Sequence, residues 1–240
     1  MTGVLLGIVC PMANEGAGAV RFTRAVLEQC QGFRGTTFFA VFDRATTDDS
    51  LERMRAFAAI EPRLQVVWAD ESRCVVDSYL RGYREALAAG CDWILEIDAG
   101  FSHDPAQIPR FFDAMERGLD CVFGSRFLRE DAIVDSSWTR RVVSWGGTQL
   151  ANLLLGTSQT DMTSGFELFT RETLRMVLDR GIHSRAHFFQ TEIKAYCRKL
   201  QFVEVPITYR AASPGLGISS LSDAFRQLWR LYRLRREGRL

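Results

Sequence analysis

Nothing in this chain is apolar for long enough to cross a bilayer. The N-terminal run from Val4 to Cys10 is short and has no basic flank, so it matches neither a spanning helix nor the core of a secretion signal. Paired cysteines are missing too: Cys10, Cys30, Cys74, Cys91, Cys121 and Cys197 stand singly, mostly among apolar residues, and no CxxC occurs. That pattern excludes a zinc knuckle and argues against a disulfide framework, so the thiols read as reduced core residues. A cytoplasmic location is expected, with any membrane contact peripheral at the inner face. The chain also lacks an excess of one charge. A formal net charge of +1 offers no bulk attraction for nucleic acid, and no nucleic-acid partner is expected. Histidine is scarce: His183 and His187 have helical metal-ligand spacing, but no third ligand stands nearby in the sequence. No internal repeat or low-complexity linker divides the chain.

What is present is a 240-residue chain, 47% hydrophobic and 25% charged, with apolar material for one large core. Short β-rich runs alternate with helical patterns: VLLGIVC then Ala17 to Cys30, TTFFAVFD then Ser50 to Ala59, LQVVWAD then Val75 to Ala89, and then DWILEID. Strand–helix alternation of this kind predicts an α/β fold with a mainly parallel, Rossmann-like sheet flanked by helices. A second half adds a helix over Ile108 to Arg117, a strand in DCVFGSRF, a helix over Trp138 to Leu155, and strands in FELFT and FVEVPITYR. The segments Arg129 to Ser137 and Ala211 to Ser220 read as mobile loops.

The stretch EIDAGFSHDP, Glu96 to Pro105, ends an apolar strand on carboxylates. In open α/β sheets ligands collect at such strand ends, and Asp98 is placed there. Residues two apart on a strand share a face, so Glu96 and Asp98 are candidates for a paired metal site; the alternative for Glu96 is a hydrogen bond to a neighbouring loop. Asp104, ahead of Pro105, reads as a helix cap, with His103 packed beside it.

In order along the chain, PMANE (Pro11 to Glu15), VFDRATTDDS, GYREALAAG, DAGFSHDP, GSRF, TDMTSGFELF, QTE and EVPITYR resemble glycosyltransferase family 2, and most closely its polyprenyl-phosphate mannose synthase branch. The resemblance implies a GT-A fold, a nucleoside-diphosphate sugar donor linked to UDP or GDP, a Mg2+ or Mn2+ ion and inversion at the anomeric carbon. It places Pro11, Asn14, Glu15 and Asp43 at the donor nucleotide and Asp98 at the metal-bound diphosphate. Gly100 stands where the family's second acid would be, Arg44 replaces an acid after Asp43, and GISS (Gly217 to Ser220) lacks the lysine of the branch's phosphate loop.

A departing diphosphate needs a cation or guanidinium to take up its charge. Arg126 in GSRF is the phosphate candidate, because its planar fork pairs bidentately with phosphate oxygens; a surface ion pair is the plainer alternative. A hydroxyl acceptor must lose a proton, and Glu192, then Asp161, are the acids available as base. Both also have structural readings, Glu192 as a helix charge and Asp161 as a brace for the turn containing Gly165. Residues 1–222 are read as the transferase domain and 223–240 as a basic amphipathic helix. Phe225, Leu228, Trp229 and Tyr232 share a face of that helix, bordered by Arg226, Arg230, Arg233, Arg235 and Arg236, a pattern fitting a membrane interface, its own domain or a second subunit in a homodimer. Transfer to a small hydroxyl acceptor such as a natural-product intermediate is the favoured reading, because it fits the missing lysine and the lack of a membrane span; synthesis of a polyprenyl-phosphate sugar at the membrane surface, which fits the branch, is the alternative. A third possibility is a degenerate nucleotide-sugar binding module without turnover.

Overall fold

The strand Leu5–Pro11 (β1) is a continuous apolar run buried along its middle, as a parallel strand covered by helices on both faces must be. Its odd and even positions serve different cores. Leu6, Ile8 and Cys10 pack with Phe22 and Val26 of Gly18–Gln29 (α1) on one face of the sheet. Val9 packs with Tyr79 and Tyr83 of Val75–Ala88 (α3) on the other.

A computed structural model describes residues 3–115, 118–129, 133–134, 138–210 and 218–240. After β1 and α1 come Gly35–Phe42 (β2), Ser50–Ala58 (α2), Leu64–Trp68 (β3), α3 and Trp93–Glu96 (β4). The second half carries Ile108–Met115 (α4), Cys121–Ser125 (β5), Ile133–Val134 (β6), Trp138–Leu155 (α5), Glu167–Thr170 (β7), Arg171–Arg180 (α6), Phe189–Tyr196 (α7), Phe202–Pro206 (β8), Tyr209–Arg210 (β9) and Ile218–Arg236 (α8). Seven strands form one sheet in the order β3-β2-β1-β4-β7-β5-β8, and β6 and β9 form a separate pair. All neighbours in the sheet run parallel except β7, which is antiparallel to both β4 and β5. The expected mixed, mainly parallel sheet is therefore present. Because the chain leaves β1 towards β2 and later returns to β4 on its other side, the carboxyl ends of β1 and β4 flank a topological switch point, where a ligand crevice forms.

Two expected strands are shorter than the sequence pattern. The strand predicted through Asp98 ends at Glu96, because Gly100 and Phe101 both take positive φ, +75° and +59°, and turn the chain out of the sheet. The run FVEVPITYR is divided between β8 and β9, which lie in different sheets. Most of the expected loops at Arg129 to Ser137 and Ala211 to Ser220 lies outside the described residues; within them, β6 and the start of α8 are regular.

The C-terminal helix begins at Ile218, ahead of the expected boundary, and packs against α5 and α7. Leu228 and Leu231 enter the second core, whereas Phe225 and Trp229 are 64% and 60% exposed. The four-residue apolar face expected of this helix is thus split, with Leu228 turned inward and the two aromatics outward.

Helix α3 lies unusually close to the sheet. A Cβ at Gly82 would come within 2.4 Å of Val9 Cγ1 and 3.0 Å of Val41 Cγ2, so only glycine lets the helix approach. Gly82→Ala is expected to cost about 1–3 kcal/mol by overpacking, more than the roughly 1 kcal/mol gained in helix propensity. A thermal melt checks this; an unchanged or raised Tm would contradict the close approach.

Candidate active site

The carboxyl ends of β1 and β2 and the turn after β4 open into two adjoining cavities of about 400 Å³ each, which share Pro11 and Val75. Glu15, Tyr79, Asp98, Gly100, His103, Arg126, His187 and Gln190 line the first. Asp43, Arg44, Arg73, Cys74 and Ser78 line the second. Of the residues singled out in the sequence, Pro11, Glu15, Asp98 and Arg126 meet at the first cavity and Asp43 faces the second. Asn14, Glu96, Asp161 and Glu192 line neither.

Asp98 follows β4 and reaches the cleft with 41% of its side chain exposed. It accepts a hydrogen bond from the Tyr79 hydroxyl, and His103 Nε2 stands 3.4 Å from its Oδ2. Burial works against its charge, but His103, the Tyr79 hydrogen bond and His187 together hold its carboxyl below the usual value. Asp98 is therefore an ionised carboxylate in a polar cleft, a hard oxygen donor suited to Mg2+ or Mn2+. Among the described residues no cluster of three or more His, Cys, Asp or Glu side chains could hold a metal ion, so a cation here would need phosphate oxygens or water as well.

Glu96 does not pair with Asp98. It is fully buried, and its carboxyl accepts hydrogen bonds from the Tyr83 hydroxyl and Gln190 Nε2. Across the antiparallel ladder it faces Glu167 on β7, whose Oε1 lies 2.9 Å from the buried Lys194 Nζ. Burial, with Glu167 opposite, pushes the Glu96 carboxyl well above the usual range. The expectation that Glu96 helps to bind metal fails on both counts, since the group is sealed from the cleft and favours its neutral form.

Arg126 leaves the end of β5 into the cleft and is held from behind. Its Nε and Nη2 donate to Asp161 Oδ2 and Oδ1 at 2.7 and 2.9 Å, and Nη2 also donates to Ser144 Oγ at 3.2 Å. The Tyr209 ring centroid lies 5.5 Å from the guanidinium carbon. Burial alone would raise the Asp161 carboxyl, but the Arg126 guanidinium holds it well below the usual carboxylate range. Asp161 is in turn fixed by Glu204, which accepts from the backbone N–H groups of Thr160 and Asp161. Asp161 thus positions Arg126 and, fully buried, lines neither cavity.

Glu192 lies on α7, away from the cleft and fully buried. Its two oxygens accept from Ser184 N and Oγ at 2.9 and 2.6 Å, from His183 N at 3.2 Å and from the Tyr196 hydroxyl at 2.9 Å. They also pair with Arg230 of α8. The carboxylate fastens α8 to the domain, which corrects the expectation that it acts as a base. Asn14, at φ +59°, ties the loop after β1 to the loop after β2: its Oδ1 accepts from Thr47 N at 2.8 Å and its Nδ2 donates to Ala45 O at 2.9 Å. Asp43 accepts from Ser78 Oγ at 2.6 Å. Asp104 caps the short 3-10 turn Pro105–Gln107 through Ala106 N, as expected. His183 and His187 lie in the loop before α7 rather than on a helix; only His187 reaches the cleft.

Sequence reasoning passed over Tyr79, Gln190 and Lys194. The i, i+4 spacing of Tyr79 and Tyr83 on α3 is visible in the sequence, but nothing local marks their partners Asp98 and Glu96. Lys194 reads as an ordinary helix charge, yet it is buried and donates to Ser164 O at 2.8 Å.

Residues 7–178 match the sequence model of Glycosyl transferase family 2. An undecaprenyl-phosphate mannosyltransferase of Micrococcus luteus is 32% identical over 171 residues, covering 70% of both chains. A polyprenol monophosphomannose synthase of Mycolicibacterium smegmatis is 29% identical over 220 residues, covering 90% of this chain and 81% of that one. Among solved structures, glucosyl-3-phosphoglycerate synthase from Mycobacterium tuberculosis, in complex with Mn2+, UDP and phosphoglyceric acid, superposes with a TM-score of 0.67 at 17% identity, over 98% of this chain and 78% of that one.

The buried acids on β4 and β7 carry a pH signature. Burial pushes Glu167 up to about 7 against the stabilising Lys194, and Glu96 is raised in the same direction. The folded protein therefore holds a proton that the unfolded chain releases near 4.5, so these groups weaken the fold as pH rises from about 4.5 to about 7. Replacing Glu96 by Gln keeps the hydrogen-bonding shape and removes one titrating acid. Unfolding free energy of Glu96→Gln relative to wild type, followed across that window, is expected to rise with pH; a flat or falling difference would contradict the assignment.

Proposed function

The chain belongs to glycosyltransferase family 2, and from that premise we propose that it moves a mannose-type sugar from a nucleoside diphosphate to a polyprenyl phosphate at a membrane surface. The observation that carries this reading is the commitment of both candidate bases. Asp161 is spent on Arg126, and Glu192 is spent on Arg230 and the loop before α7. A hydroxyl acceptor would need a base. A phosphate acceptor is already anionic: one of its oxygens forms the bond to the anomeric carbon while the bond to the donor phosphate breaks, and the electron pair leaves on the nucleoside diphosphate. The names of the two mannosyltransferase relatives support the same choice. The hydroxyl acceptor favoured from the sequence is left without the two acids expected to serve it as base.

In this reading the second cavity, with Asp43, takes the nucleoside, and the first takes the phosphates and the sugar. Asp98 would hold a Mg2+ or Mn2+ ion whose chemistry is to neutralise charge on the leaving diphosphate. Arg126, braced by Asp161, keeps Nη1 free of protein partners among the described residues and supplies fixed positive charge beside it.

The acceptor's lipid tail requires a surface nearby. No helix among the described residues is long and apolar enough to cross a membrane. However, α5 and α8 pack side by side and leave Trp145, Leu153, Phe225 and Trp229 between 54% and 75% exposed, with Arg226 and Arg233 exposed along α8. Ser144, next to Trp145 in the chain, hydrogen-bonds Arg126, so α5 links this face to a residue of the cleft. Aromatics with flanking arginines suit an anionic bilayer interface.

Incubating the protein and Mn2+ with labelled GDP- and UDP-sugars is expected to glycosylate a polyprenyl phosphate and not the corresponding polyprenol. Labelling of the alcohol alone would overturn the acceptor assignment, and donor binding without transfer would support the degenerate binding module. For the surface, Phe225→Glu with Trp229→Glu is expected to abolish low-salt flotation with anionic vesicles while leaving Tm unchanged. Each exposed arginine near such a surface contributes on the order of 1 kcal/mol, so wild-type flotation should fade with salt. Absence of wild-type flotation, or a stable dimer covering these side chains, would remove the membrane role.

A further inference from the structure

Asp98 is a single carboxylate in a corner where a divalent cation needs several oxygens, and residue 100, two positions on, has no side chain to add. The space is nevertheless filled. A Cβ at Gly100 would lie 2.9 Å from Glu15 Oε2, so the carboxylate of Glu15, carried on the loop after β1, stands where a side chain from position 100 would begin. Glu15 and Asp98 line the same cavity. Two further features point to a missing ligand. The Glu15 carboxylate lines the cavity and accepts no hydrogen bond from the described residues. Beside it, His103 is 1% exposed and lines the cavity; its Nε2 stands 3.4 Å from Asp98 Oδ2, and its Nδ1 has no hydrogen-bond partner among the described residues.

We propose that Glu15 supplies the second carboxylate of the diphosphate–metal corner, reaching across from the β1 loop to replace the acid absent at Gly100. Two carboxylates facing one cavity repel each other unless a cation lies between them, and a hard divalent ion with phosphate oxygens and water completing its shell meets that need. The loop is built to hold the carboxylate there: Glu15 N and Gly16 N donate to Ser50 Oγ at 2.8 and 2.7 Å, and Asn14 fastens the loop to Thr47. Glycine at 100 follows from this arrangement, because a side chain there would push Glu15 aside.

This inference rests on the donor reading given above, and binding separates the two without any turnover. UDP and GDP are titrated calorimetrically into wild type, Glu15→Gln and Glu15→Ala/Gly100→Asp, each with Mn2+ and with EDTA, with melts to verify folding. Wild type is expected to bind one nucleotide more tightly with Mn2+. Glu15→Gln should lose that Mn2+-dependent gain by roughly 10- to 100-fold and keep its affinity in EDTA. The double variant should recover part of the gain, since aspartate tolerates positive φ better than most residues. An undiminished Mn2+ gain in Glu15→Gln, or an equal loss with and without Mn2+, which would make Glu15 a nucleoside contact, overturns the proposal. A wild type that binds neither nucleotide in either condition overturns the donor reading itself.

Discussion

The cleft depends on a buried ion pair. Lys194 on α7 and Glu167 on β7 are both fully buried and lie 2.9 Å apart, and removing either would leave an uncompensated charge inside the protein. Lys194 also holds the carbonyl of Ser164, and Glu96, opposite Glu167, holds Tyr83 and Gln190. Ser164 and Gln190 both line the first cavity. The reversed strand β7 is what makes this possible, because it sets Glu167 directly against Glu96. One polar cluster under the sheet thereby joins α3, β4, β7 and α7, and those elements carry the cleft walls. The Lys194–Glu167 contact and the bonds from Tyr83 and Gln190 to Glu96 offset part of its desolvation cost.

A second pattern follows from the distribution of carboxylates. Acids at family-like positions divide into those that face the cleft and those that hold the structure around it. Asp98, Glu15 and Asp43 are at the cavities, whereas Asp161, Glu192, Glu204 and Glu96 each anchor a particular neighbour: Arg126, Arg230, the Thr160–Asp161 turn and Gln190. This division favours a reaction in which the acceptor brings its own negative charge. It also explains how a chain without a second acid at position 100 can keep a negatively charged corner.

Much of the sheet was legible in the sequence, because apolar runs and the helices between them follow from periodicity alone. The first four strands and their crossover helices lie within a few residues of where those runs place them. The place of Asp98 at the cleft was legible too, since the apolar run ends just ahead of Gly100 and Pro105, residues that cannot extend a strand. Glu96 was not, because periodicity places two residues on one face but cannot say whether that face opens to solvent or to another strand's glutamate. Glu192 and Asp161 were misread for the same physical reason: their partners, Arg230 and Arg126, are far away in the chain and meet them only after folding. On α8 the regular spacing of apolar residues was real, but the packing against α5 and α7 decided which of them were covered.

The central claim is that chemistry runs through the Asp98 corner and needs no base from Glu192. Single-turnover sugar transfer by Asp98→Asn and Glu192→Gln, assayed side by side well below their melting temperatures, tests it most directly. The account predicts that Asp98→Asn slows the chemical step by roughly 10²-fold or more, while Glu192→Gln stays near the wild-type rate. A Glu192→Gln rate as low as that of Asp98→Asn, with its fold intact, would contradict it.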